Sequence, residues 1–236
     1  MFALSQEQYK EYIKEVAARL QKEKEYITKL DADTGDGDHW LNMHIGFQKL
    51  VEKLPEWDGL SYAELFEKIA MTLMSAMGGS SGILYGSAYL RASKLRREAG
   101  LLKAERSEVR LPKAQILDDG MLNEEGLDTM LSGWSEAIAE RGDVRPGQKT
   151  MLDAVYPAAM AYHQARIEGR ESAVCLAEMI EAAKQGAEST REMEAVKGRA
   201  SYREDKSVGY LDPGAVTMAL QIECLGNVIM ERGDVS

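Results

Sequence analysis

The stretch SQEQYKEYIKEVAARL, residues 5–20, carries the pattern that decides the architecture. Tyr9, Tyr12, Ile13, Val16, Ala17 and Leu20 recur at spacings of three, one, three, one and three, which places them on one face of an α-helix. Ser5 stands three residues ahead of Gln8, the spacing of a capping box, so the helix starts there. It is predicted to run to about Leu30 and to stop at the aspartate- and glycine-rich stretch that follows.

The same period returns along the chain. A second helix carries Leu41, Ile45, Phe47, Leu50, Val51 and Leu54 and ends at Pro55; a third opens on the Ser61–Glu64 capping box and uses Leu65, Ile69, Leu73 and Met77. A fourth follows Gly78-Gly79 with Leu84, Tyr85, Ala88, Tyr89 and Leu95. Residues 99–124 break the pattern with mixed charges, Pro112 and Gly120, and are read as an insertion or long ordered loop in which Val109-Arg110-Leu111 is extended. Helical periodicity resumes over Leu127–Ile138, Thr150–Arg166, Ser172–Val196 and Ala215–Met230. The prediction is all-α: about eight antiparallel helices in a single-domain bundle covering residues 1–236, with no fixed-period repeat. In an up-and-down bundle, the loops after the first, third, fifth and seventh helices share one end. Those loops hold Gly35–His39, Gly78–Gly82, Gly142–Thr150 and Gly198–Gly214, so their chemistry is expected at one rim.

Composition narrows the function. The 236 residues carry 29 Lys and Arg against 39 Asp and Glu, a formal net charge of −10, and 44% are hydrophobic. That is a globular balance, without the cationic footprint of a nucleic-acid or anionic-membrane binder. Cys175 and Cys224 are the only cysteines, too few for a disulfide framework and consistent with a reducing compartment. The N-terminus lacks the apolar core of a secretory signal, and no apolar run approaches the ~20 residues of a membrane helix. A soluble, cytoplasmic protein is expected.

Within residues 31–39, Asp31, Asp33, Asp36 and Asp38 crowd four carboxylates around two glycines. Like charges that close are tolerated mainly around a cation; a solvated acidic turn, or caps for the next helix, is the plainer reading. An EF-hand fits badly, with Asp36 where its glycine belongs and Asn42 where its glutamate belongs. Hard oxygen ligands favour Mg2+ or Ca2+, and magnesium ordinarily completes its shell with phosphate oxygens. The small residues Gly78–Gly82 open a helix and leave free N–H groups for an anion, or simply allow a tight helical turn. Residues 142–150 look at first like a phosphate-binding P-loop. They have one residue too many before Lys149 and follow a helix rather than a strand, which leaves only phosphate or sugar contacts open. Arg199 offers a bidentate donor to phosphate, and Asp212-Pro-Gly reads by itself as a turn with Asp212 as helix N-cap. His39 is read either as a ligand contact or as a cap on the turn. His44 and His163 lie within helices and are read as structural or solvated, and Met71, Met74 and Met77 are spaced like core residues and need no cofactor.

In this order, DxxxGDGDHxxNM, GGSSGxLYG, GxxxPGxKTMxD and GRASYxxxxSxGxxDPGA resemble the nucleotide-binding L subunit of dihydroxyacetone kinase, over about Ser5 to Met230. The resemblance implies a barrel of eight antiparallel helices that binds ADP or ATP at one rim through two Mg2+ ions. It implies Asp31, Asp36 and Asp38 as metal ligands, with Asp33 dispensable. It places His39, Leu41 and Asn42 beside the nucleotide, Ser80 and Ser81 at the phosphates, and Gly142 and Met151 at the nucleotide's border. Arg199, Asp212 and Gly214 close the pocket, Arg199 as the catalytic charge-neutralising group. It further implies a partner K subunit that holds dihydroxyacetone, with the chain too short to carry that domain itself. A phosphotransferase-system M subunit that recharges bound ADP is implied in some members, and a homodimer is a further state to test.

Two features depart from the pattern. Trp40 stands where the family usually has glycine, and would either stack on adenine or crowd the turn. Residues 99–124 are longer than the family leads one to expect. Both bear on whether the substrate is dihydroxyacetone or another small ketose or polyol. A regulatory nucleotide-binding module that turns nothing over is the competing class, and retention of all three aspartates favours the enzyme. A metal-dependent phosphoester hydrolase is a third.

Overall fold

The structure is a computed structural model that describes residues 1–106 and 120–233. Among the described residues there are nine α-helices: α1 (Gln6–Lys22), α2 (Lys24–Thr34), α3 (His39–Lys53), α4 (Tyr62–Ala76), α5 (Gly79–Arg106), α6 (Glu124–Gly142), α7 (Leu152–Ile167), α8 (Ser172–Ser189) and α9 (Pro213–Arg232). Both predicted capping boxes are formed: Ser5 and Gln8 open α1, and Ser61 and Glu64 open α4. The N-terminal helix divides at Glu23, whose backbone (φ −91°, ψ 14°) leaves helical geometry, and its second part extends to Thr34. Counting α1 and α2 as one rod leaves eight, the number expected.

The rods close on themselves. α1 packs on α3, each later helix packs on the next, and α9 returns to α1. Inside this ring a single cluster of buried apolar side chains runs from Phe2 to Ile229. Tyr9, Tyr12, Tyr62, Phe66, Tyr89 and Trp134 meet there edge-on or tilted, at centroid distances of 5.0–5.9 Å, the geometry that aromatic quadrupoles favour. The cysteines are buried free thiols. No described helix is long and apolar enough to cross a membrane.

Three expectations are corrected. On α3 the buried residues are Trp40, Met43, Phe47 and Leu50, whereas Leu41 and Ile45 are 48% and 42% exposed. Trp40 turns inward and rotates the helix away from the register its aliphatic residues implied. On α4, Met71 is 57% exposed, while Met77 is buried. Residues 99–106 continue α5, and β2 (Met121–Asn123) pairs antiparallel with β1 (Ala3–Ser5), so the described ends of the expected insertion are ordered extensions of the bundle. The centre of that insertion, Val109–Leu111 included, lies outside the described residues.

Trp40 does not stack in a ligand site. Its Nε1–H donates to the Leu20 carbonyl at 2.8 Å, and its ring lies between the Lys24 ammonium (4.7 Å) and the His44 ring (4.8 Å, nearly parallel). It fastens the start of α3 to the end of α1.

Candidate functional site

At the rim formed by the four odd-numbered loops lies an open cavity of about 510 Å3. Its acidic end is built by α2 and the turn after it. Asp31 sits in the last turn of α2, and Gly35 passes so close that a Cβ there would lie 2.5 Å from Asp31 Oδ1. Gly37, at φ +77°, then brings Asp38 to the first position before α3, where its side chain makes no capping bond to the helix. As a result Asp31, Asp36 and Asp38 each present an oxygen within 4.8 Å of the others. The set is all hard oxygen, fitting magnesium better than zinc. Asp33 is not among the lining residues.

Opposite stands the start of α5. Gly79 adopts φ +63°, and the Gly78 N–H donates to the Asn42 side-chain oxygen at 3.2 Å, with no room for a Cβ beside it. This tie leaves the first N–H groups of a long helix, with Ser80 and Ser81, facing the cavity. The His39 backbone N–H donates to Asp31 Oδ2 at 2.9 Å, and its ring lies between Thr217 Oγ1 (2.9 Å) and Ser81 Oγ (3.5 Å). Burial lowers the His39 pKa against the opposing pull of Asp31 and Asp38.

The third loop is held from within. Asp153 accepts the N–H groups of Gly147 and Thr150, and Lys149, in a left-handed conformation at φ +59°, is buried. Its ammonium donates to the carbonyls of Thr190 and Tyr210, stapling this loop to the fourth, so the lysine that resembled a phosphate ligand is spent on backbone. Burial lowers its pKa. Asp212 caps α9, accepting the Ala215 N–H at 2.7 Å, as the plain reading of Asp-Pro-Gly had it. Burial pushes its carboxyl up to about 7, against the Ala215 bond and the charge of Lys149. Arg199, on a short turn after Gly198, pairs with Asp36 at 2.6 Å and is 65% exposed.

All the site residues expected from sequence line this cavity except Leu41, which points to solvent. Sequence reasoning missed an apolar wall of Ile83, Leu84, Ile138, Val144 and Met151, of which only Met151 was anticipated, and the cations Arg141 and Lys197. Ile83 and Leu84 lie within one helical turn of Ser80, and Ile138 one turn before Gly142; helical register was the signal available. Lys197 pairs with Asp143 at 3.0 Å. The cavity thus joins a carboxylate-rich end, a helix start with open N–H groups and an apolar side.

The chain matches the DAK2 domain over residues 33–227. It is 34% identical over 203 residues to the PEP-dependent dihydroxyacetone kinase, ADP-binding subunit DhaL, of Escherichia coli K12, covering 86% of this chain and 87% of that one. It is 33% identical over 219 residues to the PTS-dependent dihydroxyacetone kinase, ADP-binding subunit DhaL, of Lactococcus lactis, covering 93% and 95%. Its fold is similar to the dihydroxyacetone kinase from C. freundii crystallised with AMP-PNP and Mg2+, with a TM-score of 0.62 at 24% identity over 92% of this chain and 33% of that one. With its four motifs gathered around one cavity and a domain match spanning most of its length, the chain belongs to the DAK2 domain family.

Proposed function

We propose that this chain is the nucleotide-binding phosphotransfer subunit of a dihydroxyacetone kinase, with residues 1–236 acting as one domain in the cytoplasm. The observation that carries the reading is the set of three carboxylates within 4.8 Å of one another, facing a helix start across a cavity with an apolar wall. Asp31, Asp36 and Asp38 would hold Mg2+, which when bound neutralises phosphate charge. The α5 N–H groups and Ser80 bind phosphate oxygens, and the wall from Ile83 to Met151 takes the base. Phosphoryl transfer depends on positioning and charge neutralisation more than on a reactive side chain. Arg199 would supply further positive charge to phosphate, its guanidinium lying at the acidic end through its pair with Asp36, one of the three carboxylates that would hold the metal. The relatives named above are ADP-binding subunits of PEP- or PTS-dependent kinases, which supports a partner that holds the ketose and another that recharges ADP.

The test is mass spectrometry of small molecules released from the desalted protein, with and without EDTA, beside the Asp36→Ala variant. ADP released only on chelation is expected, with no nucleotide on the variant and its helical circular dichroism retained. A protein that arrives empty but binds ATP with Mg2+ replaces the resident-ADP form with an exchanging kinase subunit. Absence of nucleotide under every condition overturns the reading and leaves a binding module.

A further inference from the structure

The connection from Thr190 to Asp212 joins α8 to α9 and carries Lys197 and Arg199 into the cavity wall. It is closed on itself at its neck. The Gly209 N–H donates to the Arg191 carbonyl at 2.8 Å, the Ala195 N–H to the Lys206 carbonyl at 2.9 Å, and the Asp212 N–H to Thr190 Oγ1 at 2.9 Å. Buried Ser207 fills the inside of the loop and donates to the Ala200 carbonyl at 3.0 Å. The tip meets the other loops through exposed charges: Lys197 on Asp143 (3.0 Å), Arg199 on Asp36 (2.6 Å) and the Arg203 guanidinium on the Asp33 carbonyl (3.0 Å). Charges that exposed hold little, so the pose of the tip is set at the neck.

Lys149 lies there, buried, with its ammonium donating to the Thr190 carbonyl on one side of the neck and the Tyr210 carbonyl on the other. An ammonium only donates and a carbonyl only accepts, so the sense of both bonds is fixed. The lysine reaches the neck through its left-handed backbone, which a residue with a side chain disfavours. Buried Asp153 imposes that turn, because its two oxygens accept the N–H groups of Gly147 and Thr150 on either side of the lysine. The helix that supplies Thr190 is pressed onto the same residue. Pro157 has no N–H to give the Asp153 carbonyl, and Gly186 of α8 approaches that oxygen so closely that a Cβ would lie 2.0 Å from it. Asp153 thus fixes both the lysine and the end of α8.

We infer that Lys149 is a positioning residue, held by Asp153, that clamps the two ends of the 190–212 loop and so sets where Arg199 stands over a bound nucleotide. Its ammonium is spent on backbone, so its effect on the nucleotide passes through the arginine. The carboxylates, the α5 N–H groups and Ser80 belong to other elements and keep their places when the neck loosens. The part of this inference that concerns the nucleotide rests on the function proposed above, whereas the clamp does not.

Lys149→Met keeps a long stem and removes the donors. In deuterium exchange of the intact, metal-free protein read by mass spectrometry, peptides from 190–212 are expected to exchange about tenfold faster in this variant, the worth of one hydrogen bond to a buried carbonyl. The helices of the barrel are expected to exchange as in wild type. Titration calorimetry with Mg2+ and ADP is expected to show a Kd raised about tenfold. In an Arg199→Gln background the same substitution is expected to cost nothing further, because the lysine acts through the arginine; a merely structural lysine would add its loss to that of Arg199→Gln. Asp153→Asn leaves one N–H of the turn without its acceptor, and it is expected to give the same loop-confined exchange if the methionine variant does not fold. Unchanged exchange over 190–212, exchange that spreads through α7 to α9, or losses of affinity that add in the double variant each overturn the inference. A wild-type chain that binds no Mg-ADP while the exchange pattern appears refutes the function proposed above and leaves the clamp standing.

Discussion

Asp212 shows what a residue gives up to stand in this cavity. Its carboxyl caps α9 and faces Lys149, but burial outweighs both and pushes its pKa from an ordinary 3.8 up to about 7. The folded protein therefore holds this proton more tightly than the unfolded chain. The group's contribution to stability is present below the unfolded value and is lost as pH rises through about 7. Asparagine caps a helix equally well and does not titrate. Asp212→Asn should therefore gain in unfolding temperature relative to wild type between about pH 5 and about pH 8, both measured metal-free. A gap that stays constant across that range would refute the assignment. At this scale the motifs were legible because carboxylates and glycines betray themselves by density. Lys149 was not, since the carbonyls it serves lie 41 and 61 residues away and no local pattern announces them.

Trp40 acts on whole elements. The break at Glu23 separates α1 from α2, and the indole N–H holds the Leu20 carbonyl just before it, so one side chain ties α3, which starts at the acidic turn, to the end of α1. Replacing it with phenylalanine keeps a ring for Lys24 and His44 but leaves a buried carbonyl without its donor, a loss of about 1–3 kcal/mol. For a chain of this size each kcal/mol moves the unfolding midpoint by about 2–4 °C. Trp40→Phe should thus melt several degrees lower with unchanged helical content, and a midpoint equal to wild type would show that the bond does not hold. The element boundaries were readable from caps and period. The rotation of α3 was not, because Leu41 and Ile45 fit a helical stripe as well as Met43 does, and only Trp40's distant partner decides which stripe turns inward.

At the scale of the molecule, the closed ring converts alternation along the chain into a site. Eight rods running up and down put every second loop at one end, so residues as far apart as Asp31 and Gly214 line one cavity; this much followed from counting helices. The apolar wall did not, since Ile138 and Val144 look like any other core residue until the ring closes. The same geometry makes ligand binding a global event, because a Mg-nucleotide would touch all four loops and so oppose the opening of any rod. It also makes binding conditional. In a chain of net charge −10, three clustered carboxylates repel a polyanion until a cation sits between them. A ligand that binds only the folded state, at a hundred times its dissociation constant, stabilises it by about 2.7 kcal/mol. That corresponds here to a rise of roughly 5–10 °C in unfolding midpoint. The rise is expected with ADP and Mg2+ together on protein stripped of nucleotide, with little change from ADP in EDTA and a smaller one from Mg2+ alone. Scanning calorimetry of the four conditions decides it. An equal shift from ADP in EDTA would mean that the nucleotide is held without the carboxylates, and the cavity's acidic end would then need a different explanation.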